Sequence, residues 1–281
     1  MTTGPLRCLI NMRKVLDLSN RVAVVIGATS GIGRVIAIGL AENGADVVPT
    51  GRRGELLESV CREIETLGRR TLRHTADVTR RQSLDELRDA VLNRFGRIDI
   101  LVNAAGHTAR QPTAKVAEEE WLSLIDTNLT GALRACQSFY GPPKASGKGR
   151  IINIASLGSY VAFYEVAAYC AAKTALLSLT RSMACEWASD RISVNAIAPG
   201  IFPTELNNEM VIDTPRGGEL LARTPMGRFG SPEELVGAAV LLASDGASFL
   251  TGQCIAVDGG YLAAGVRSSV ERAGGRNRNA A

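Results

Sequence analysis

Tyr169 and Lys173 are the residues whose types and spacing point most directly to chemistry. In a helix, side chains four apart share one face. An ammonium beside a phenol stabilises the phenolate and lowers its pKa from about 10 towards neutrality. Such a pair can pass a proton to or from a reacting oxygen. Tyr140 and Lys144 have the same spacing, but Pro142 and Pro143 stand between them. Because proline breaks a helix interior, only Tyr169 and Lys173 are expected to meet. Upstream, the run Arg150–Ile154 ends at Ala155-Ser156. As a strand of an open parallel sheet, it would place Ser156 where ligands bind, beyond the carboxyl end. There the hydroxyl can hydrogen-bond a substrate oxygen and polarise a carbonyl.

A second chemical feature follows the run Val22–Ile26, which leads into Gly27-Ala28-Thr29-Ser30-Gly31-Ile32-Gly33 and then a helical pattern. The glycines allow a tight turn, close backbone approach to a pyrophosphate, and close packing of helix on strand. The helix N-terminus offers free N–H groups to phosphates. Contacts with a dinucleotide are therefore expected at Gly27, Thr29, Ser30, Gly31, Ile32 and Gly33. The end of the next run, Val47-Val48-Pro49-Thr50-Gly51-Arg52-Arg53, bears on which dinucleotide. An NAD site carries an acidic residue there for the ribose 2′-OH. Here that position is Gly51, and Arg52 follows with a planar fork suited to a phosphate. NADP(H) is favoured, with NAD(H) open as the alternative.

These groups need a scaffold. Apolar, β-branched runs (Val22–Ile26, Ala45–Val48, Ile98–Val102, Arg150–Ile154, Ile192–Ile197 and Cys254–Val257) alternate with segments of helical period. The latter are Gly31–Asn43, Glu55–Leu67, Leu84–Phe95, Glu119–Tyr140, Val166–Trp187 and Pro232–Ala243. Continuously apolar strands suit a parallel sheet covered on both faces. The expectation is a single doubly wound α/β domain of the Rossmann type over residues 18–263, with about seven mostly parallel strands. Pro49 is an oddity in a strand expected to be central, since it removes a ladder donor. Residues 1–17 and 264–281 read as flexible ends, with Met12 an alternative start.

The G-x-x-x-G-x-G spacing, Asn103-Ala104-Ala105-Gly106, Tyr169 with Lys173, and Ser156 upstream resemble the short-chain dehydrogenase/reductase family. The resemblance runs from about Leu18 to Tyr261, with Ile26 where the family usually has Thr. It implies hydride transfer between a nicotinamide and a carbonyl or alcohol, with Tyr169 handling the proton. It also implies that Asp77 and Val78 hold the adenine ring, although an Asp there also suits a plain turn. Asn103, Ala104 and Gly106 would line the cofactor, and Asn128 would anchor a water relay to Lys173. Pro199, Gly200 and Phe202 would pack beside the nicotinamide, and Thr204 would bond its carboxamide. Residues 204–224 resemble a substrate lid. The sugar-acid, polyol and 3-oxoacyl reductase branch is the nearest in pattern. Asp190 stands where carrier-dependent reductases present an arginine, which turns the reading towards a sugar acid or polyol. A 3-oxoacyl thioester reductase and a non-catalytic nucleotide-binding regulator are the alternatives.

Composition excludes other classes. Charged residues make up 21%, and part of the net charge of +4 lies in a tail with Arg267, Arg272, Arg276 and Arg278. That balance gives no reason to expect nucleic-acid binding. The six cysteines show no CxxC spacing, and two histidines are too few for a metal site. No apolar stretch reaches the about 20 residues of a membrane helix. A cytoplasmic protein is expected. Apolar faces on Glu119–Tyr140 and Val166–Trp187, with the family resemblance, lead to the expectation of a homotetramer.

Overall fold

Six of the apolar runs become strands: β1 Val22–Ile26, β2 Asp46–Thr50, β3 Ile100–Asn103, β4 Gly149–Ile154, β5 Ile192–Pro199 and β6 Cys254–Val257. The computed structural model describes residues 15–204 and 208–265. The expectations for residues 1–12 and 268–281, including the start at Met12, lie outside them, as does Cys8. All pairings are parallel, in the order β2-β1-β3-β4-β5-β6. Helices α1 Gly31–Glu42, α2 Gly54–Thr66, α3 Arg81–Phe95, α4 Glu118–Ile125 and α5 Gly131–Ser138 come first. They are followed by α6 Gly141–Ser146, α7 Ala167–Trp187, α8 Asn208–Val211, α9 Pro215–Arg223 and α10 Val236–Ala243. The result is a doubly wound sheet of the Rossmann type.

Alternate strand residues point to opposite faces, so each apolar strand feeds two cores. Ala23, Val25, Val47, Ile100 and Val102 pack with Ile36 and Leu40 of α1 and Val240 of α10. Val22, Val24, Val48, Leu101 and Val194 pack on the other face with Leu87, Phe139 and Met183 from α3, the end of α5 and α7. Burying each of the larger side chains contributes about 1.5–3 kcal/mol. Helix α3 stops at Gly96, whose φ of 74° is a left-handed cap.

The sheet has six strands where about seven were expected, and Pro49 supplies the reason. Residues 71–75, the missing third strand, run beside β2 without joining it. Val47 donates to the Arg70 carbonyl and Ala76 to that of Gly51. The donor between them would be the N–H that Pro49 lacks. Proline is tolerated because β2 is an edge strand, not the central one expected.

Three other expectations need correction. The segment 119–140 is not one helix: a π-helical turn, Asp126–Thr130, separates α4 from α5. Inside it the Asn128 amide donates to the Leu124 carbonyl at 3.0 Å, inserting a side chain into the ladder. Tyr140 and Lys144 do meet, at 3.3 Å. Pro142 and Pro143 fall in the first turn of α6, where a helix needs no N–H donor, so they do not break it. The pair is joined to Asp190 (Lys144 Nζ at 2.8 Å) and lies beside the amino ends of β4 and β5, away from the crevice described below. The outward residues of α7 include Thr174, Ser178, Arg181, Ser182 and Cys185, so that face is small and polar and not apolar. Trp121 and Leu122 of α4 are exposed.

Pro49→Val returns the missing donor. Hydrogen exchange is expected to slow across 71–75 and the new amide at residue 49 to be protected, with stability rising by about 0.5–1.5 kcal/mol. Unchanged exchange would show that another cause keeps the segment out of the sheet.

Candidate active site

The chain leaves β1 towards β2 on one side and returns to β3 on the other. Connections diverging from that switch point leave a crevice beyond the carboxyl ends of the strands. It measures about 570 Å³. Gly27, at φ 85°, forms its floor: a Cβ there would stand 2.4 Å from the Ala105 nitrogen. A Cβ at Gly33 would stand 2.2 Å from the Gly27 carbonyl oxygen, so α1 packs directly on the turn. Ser30 is the N-cap of α1 but makes no side-chain cap bond, and no acidic residue sits in the first turn. The helix therefore presents open N–H donors to the crevice. Ile32 and Ala104 line the same turn, and Thr204 stands over Gly31.

Both arginines after β2 line the crevice, and the one closer to the turn is Arg53. Its guanidinium donates to Ser30 Oγ at 2.5 Å and to Thr29 Oγ1 at 3.2 Å. A Cβ at Gly51 would meet Thr29 Cγ2 at 2.8 Å, so a carboxylate side chain at that position needs Thr29 to move. Arg52 carries a charge that acts on both Asp77 and His107. Burial pushes the His107 ring pKa down, and the Arg52 charge adds to this. Asp77 lines the crevice and also makes the turn, its Oδ1 accepting from Thr79 N at 2.9 Å and Thr79 Oγ1 at 2.8 Å. Burial opposes its ionisation, yet the Thr79 bonds and the charges of Arg52 and Arg80 hold its carboxyl below the usual range. Val78 lines the wall and packs on Gly131 of α5.

Not every expected contact faces the crevice. Asn103 turns its side chain into the sheet, donating to Asn153 Oδ1 at 2.8 Å, and Asn153 in turn donates to Thr180 Oγ1 at 2.9 Å. That chain ties β3 to β4 and α7. Phe202 borders the crevice but buries its ring in the core against Gly230. Pro199 and Gly200 line the crevice, and Gly200 leaves room for the Asp258 backbone.

The proton-transfer candidates converge at the carboxyl end of β4. Tyr169 and Lys173 lie one turn apart on α7, with Lys173 Nζ 5.7 Å from the Tyr169 ring centre. Ser156, which caps the turn after β4, lines the crevice together with Tyr169. Burial pushes the Tyr169 phenol pKa up, and the Ser156 hydroxyl opposes it. Burial also pulls Lys173 down to about 8, while its Nζ donates to the Ile154 carbonyl at 2.8 Å. The expected lowering of the tyrosine by the ammonium is thus not realised here: Nζ lies over the ring, and burial favours the neutral phenol. Asn128 holds the His107 carbonyl at 2.9 Å, and its buried Oδ1 has no protein partner. A Cβ at Gly106 would stand 2.5 Å from that oxygen and 3.6 Å from Lys173 Nζ. Gly106 thus marks a gap flanked by an acceptor and a cation, suited to a bound water.

At the far end of the crevice the walls are Phe163, Val166, Val211 and Leu220, with Arg110 and Arg216. Arg110 is paired with Glu165 at 2.6 Å. The open glycine turn, the uncapped helix and the paired guanidiniums fit a phosphate-bearing dinucleotide.

A family model described as enoyl-(acyl carrier protein) reductase matches residues 27–262. The chain belongs to the short-chain dehydrogenase/reductase family. Among curated relatives, it is similar to 2-dehydro-3-deoxy-D-gluconate 5-dehydrogenase of Escherichia coli (strain K12), at 39% identity over 88% of this chain and 97% of that protein. Gluconate 5-dehydrogenase of Gluconobacter oxydans (strain 621H) is also 39% identical, over 88% of this chain and 96% of that one. Among solved structures, gluconate 5-dehydrogenase from Burkholderia cenocepacia J2315, in complex with NADP and tartrate, superposes with a TM-score of 0.86. The two are 38% identical over 90% of this chain and 99% of that chain. Within this family member, Arg53, Arg110 and Arg216 are crevice residues that the motifs do not mark. Segments far apart in sequence, a loop and the first turn of α9, deliver the last two, and no local spacing signals their approach.

Proposed function

We propose that this family member is a cytoplasmic NADP(H)-dependent oxidoreductase that interconverts a secondary alcohol and a carbonyl on a sugar acid or polyol. The observation that carries this reading is the convergence of Ser156, Tyr169, Lys173 and Asn128 beside a crevice whose other end holds Arg52 and Arg53. The relatives act on gluconate-type acids by their names, and one neighbour holds NADP with tartrate, a hydroxy acid. Free thiols and the lack of any membrane-crossing helix among the described residues accord with the location.

The nicotinamide supplies the acceptor or donor of hydride when bound. The residues do the rest. Tyr169 gives its phenol proton to the substrate oxygen in reduction and takes one in oxidation. Ser156 would hydrogen-bond that same oxygen and polarise the carbonyl. Lys173, with Nζ over the phenol ring and beside the gap at Gly106, would pass protons between that gap and the site. Asn128 Oδ1 is placed to hold a water that returns protons from solvent to Lys173. Arg52 and Arg53 would hold the 2′-phosphate, where a guanidinium fork matches a dianion. Exposed Trp121, Leu122 and Phe249 support assembly as a homotetramer. Light scattering that reports a monomer at micromolar concentration would rule that out.

Oxidation needs the phenolate, and the Tyr169 pKa is raised. Its kcat/KM is therefore expected to climb with pH from about 7 into the alkaline range, while reduction, which uses the phenol, declines only there. Tyr169→Phe should remove about 10²–10⁴-fold of turnover in both directions and leave dinucleotide binding intact. Retained activity in that variant overturns the reading.

The parent should prefer NADPH to NADH in kcat/KM. Arg53→Ala and Arg52→Ala should each narrow the preference by about 10-fold or more, the worth of a charge-assisted bond. A parent preferring NADH, or variants with unchanged preference, would refute the phosphate assignment.

A further inference from the structure

The substrate end of the crevice has an electrostatic asymmetry. Among the described residues lining the whole crevice, Asp77 carries the one carboxylate, and it lies at the dinucleotide end beside Arg52. The substrate end has two guanidiniums and an otherwise largely apolar wall of Phe163, Val166, Val211 and Leu220. The two guanidiniums are not equivalent. Arg110 is neutralised by Glu165, whose main chain is also held in place through the 2.8 Å bond from Gln111 N to the Glu165 carbonyl. Arg216 makes no ion pair among the described residues. Its Nη1 donates to the Tyr164 carbonyl at 3.2 Å, which holds the stem over the crevice and leaves other guanidinium donors unused there.

Arg216 also occupies a position that costs stability. Thr214 caps α9 by accepting from Gly217 N at 3.0 Å, Pro215 opens the helix, and Arg216 follows in its first turn. A cation there opposes the helix dipole. An anion bound between the guanidinium and the helix start would reverse the sign of that interaction.

We infer that Arg216 recognises the carboxylate of the substrate and makes this site select a hydroxy acid over a neutral polyol of the same length. The inference rests on the oxidoreductase reading above and narrows it from two substrate classes to one. A guanidinium fork meets a carboxylate through two parallel bonds, and an apolar surround strengthens both. A polyol hydroxyl offers no charge to that fork and leaves the cation unmatched. Arg216 is in this account a specificity residue, with no part in moving the proton.

The test compares D-gluconate with the neutral six-carbon polyol D-glucitol, using the full chain with NADP⁺, in the parent, Arg216→Gln and Arg216→Lys. For gluconate, Arg216→Gln is expected to raise KM about 10- to 100-fold, as for loss of bonds to a charged group, with kcat changed by less than about 3-fold. Arg216→Lys should recover part of that loss, since it keeps the charge and loses the fork. Calorimetric titration of gluconate into the NADP⁺-loaded protein should show the same order of affinities. An unchanged gluconate KM in Arg216→Gln overturns the inference, as does an equal shift for gluconate and glucitol, which would mark a structural role. A parent that oxidises glucitol and not gluconate also overturns it, while leaving the oxidoreductase reading in place. If the parent oxidises neither, that reading fails, and the calorimetric comparison alone decides Arg216.

Discussion

The carboxyl edge of the sheet depends on one backbone contact, where the turn at Gly27 lies against Ala104 and Ala105. No side chain fits between them, since a Cβ at Gly27 would come within 2.4 Å of main-chain nitrogen. The contact fixes how closely the ends of β1 and β3 approach, and it aims the N-terminus of α1 into the crevice. Gly33 extends the same packing, with α1 seated on the Gly27 carbonyl. From Ala105 the chain passes to Gly106, where lack of a side chain leaves Asn128 and Lys173 facing a shared gap. The dinucleotide turn and the proton-transfer group are thus joined by consecutive residues of one loop.

Desolvation sets the electrostatic character of the interior. Lys173 is buried without a carboxylate partner, and its pKa falls to about 8. Tyr169 moves the other way for the same reason. Asn128 differs from both, since its buried amide oxygen has no partner at all. Burying that oxygen costs stability, which a bound water or ligand donor would recover. The positive lining of the crevice acts in the same sense on a phosphate-bearing cofactor and an acidic substrate.

The sheet edges carry a different burden. An unpaired strand is a template for unwanted pairing. At β2, Pro49 removes a donor and residues 70–76 shield the edge without completing a ladder. At β6, pairing is with β5 alone, and Phe249 nearby is fully exposed. Among the described residues the two edges are therefore managed unequally, with an internal shield beside β2 and none beside β6.

Patterns with a short period were legible in the sequence alone. Continuous apolar runs gave the parallel sheet, because strands covered on both faces need apolar residues at every position. Glycine spacing gave the dinucleotide turn, because φ above zero and close backbone approach exclude other residues. The four-residue step gave Tyr169 and Lys173, because both lie on one unbroken helix. Where the outcome turned on which groups meet, the sequence was silent or misleading. Pro142 and Pro143 read as a break and proved a helix start, since the position of a proline within a turn depends on where that helix begins. Asn103 carried a site signature, yet its amide found Asn153 on the neighbouring strand. Pro49 was visible, but whether it sat on a central or an edge strand was decided only by strand order. Arg53, Arg110 and Arg216 reach the crevice from three separate segments. Their approach is a consequence of folding distance, which no local spacing encodes.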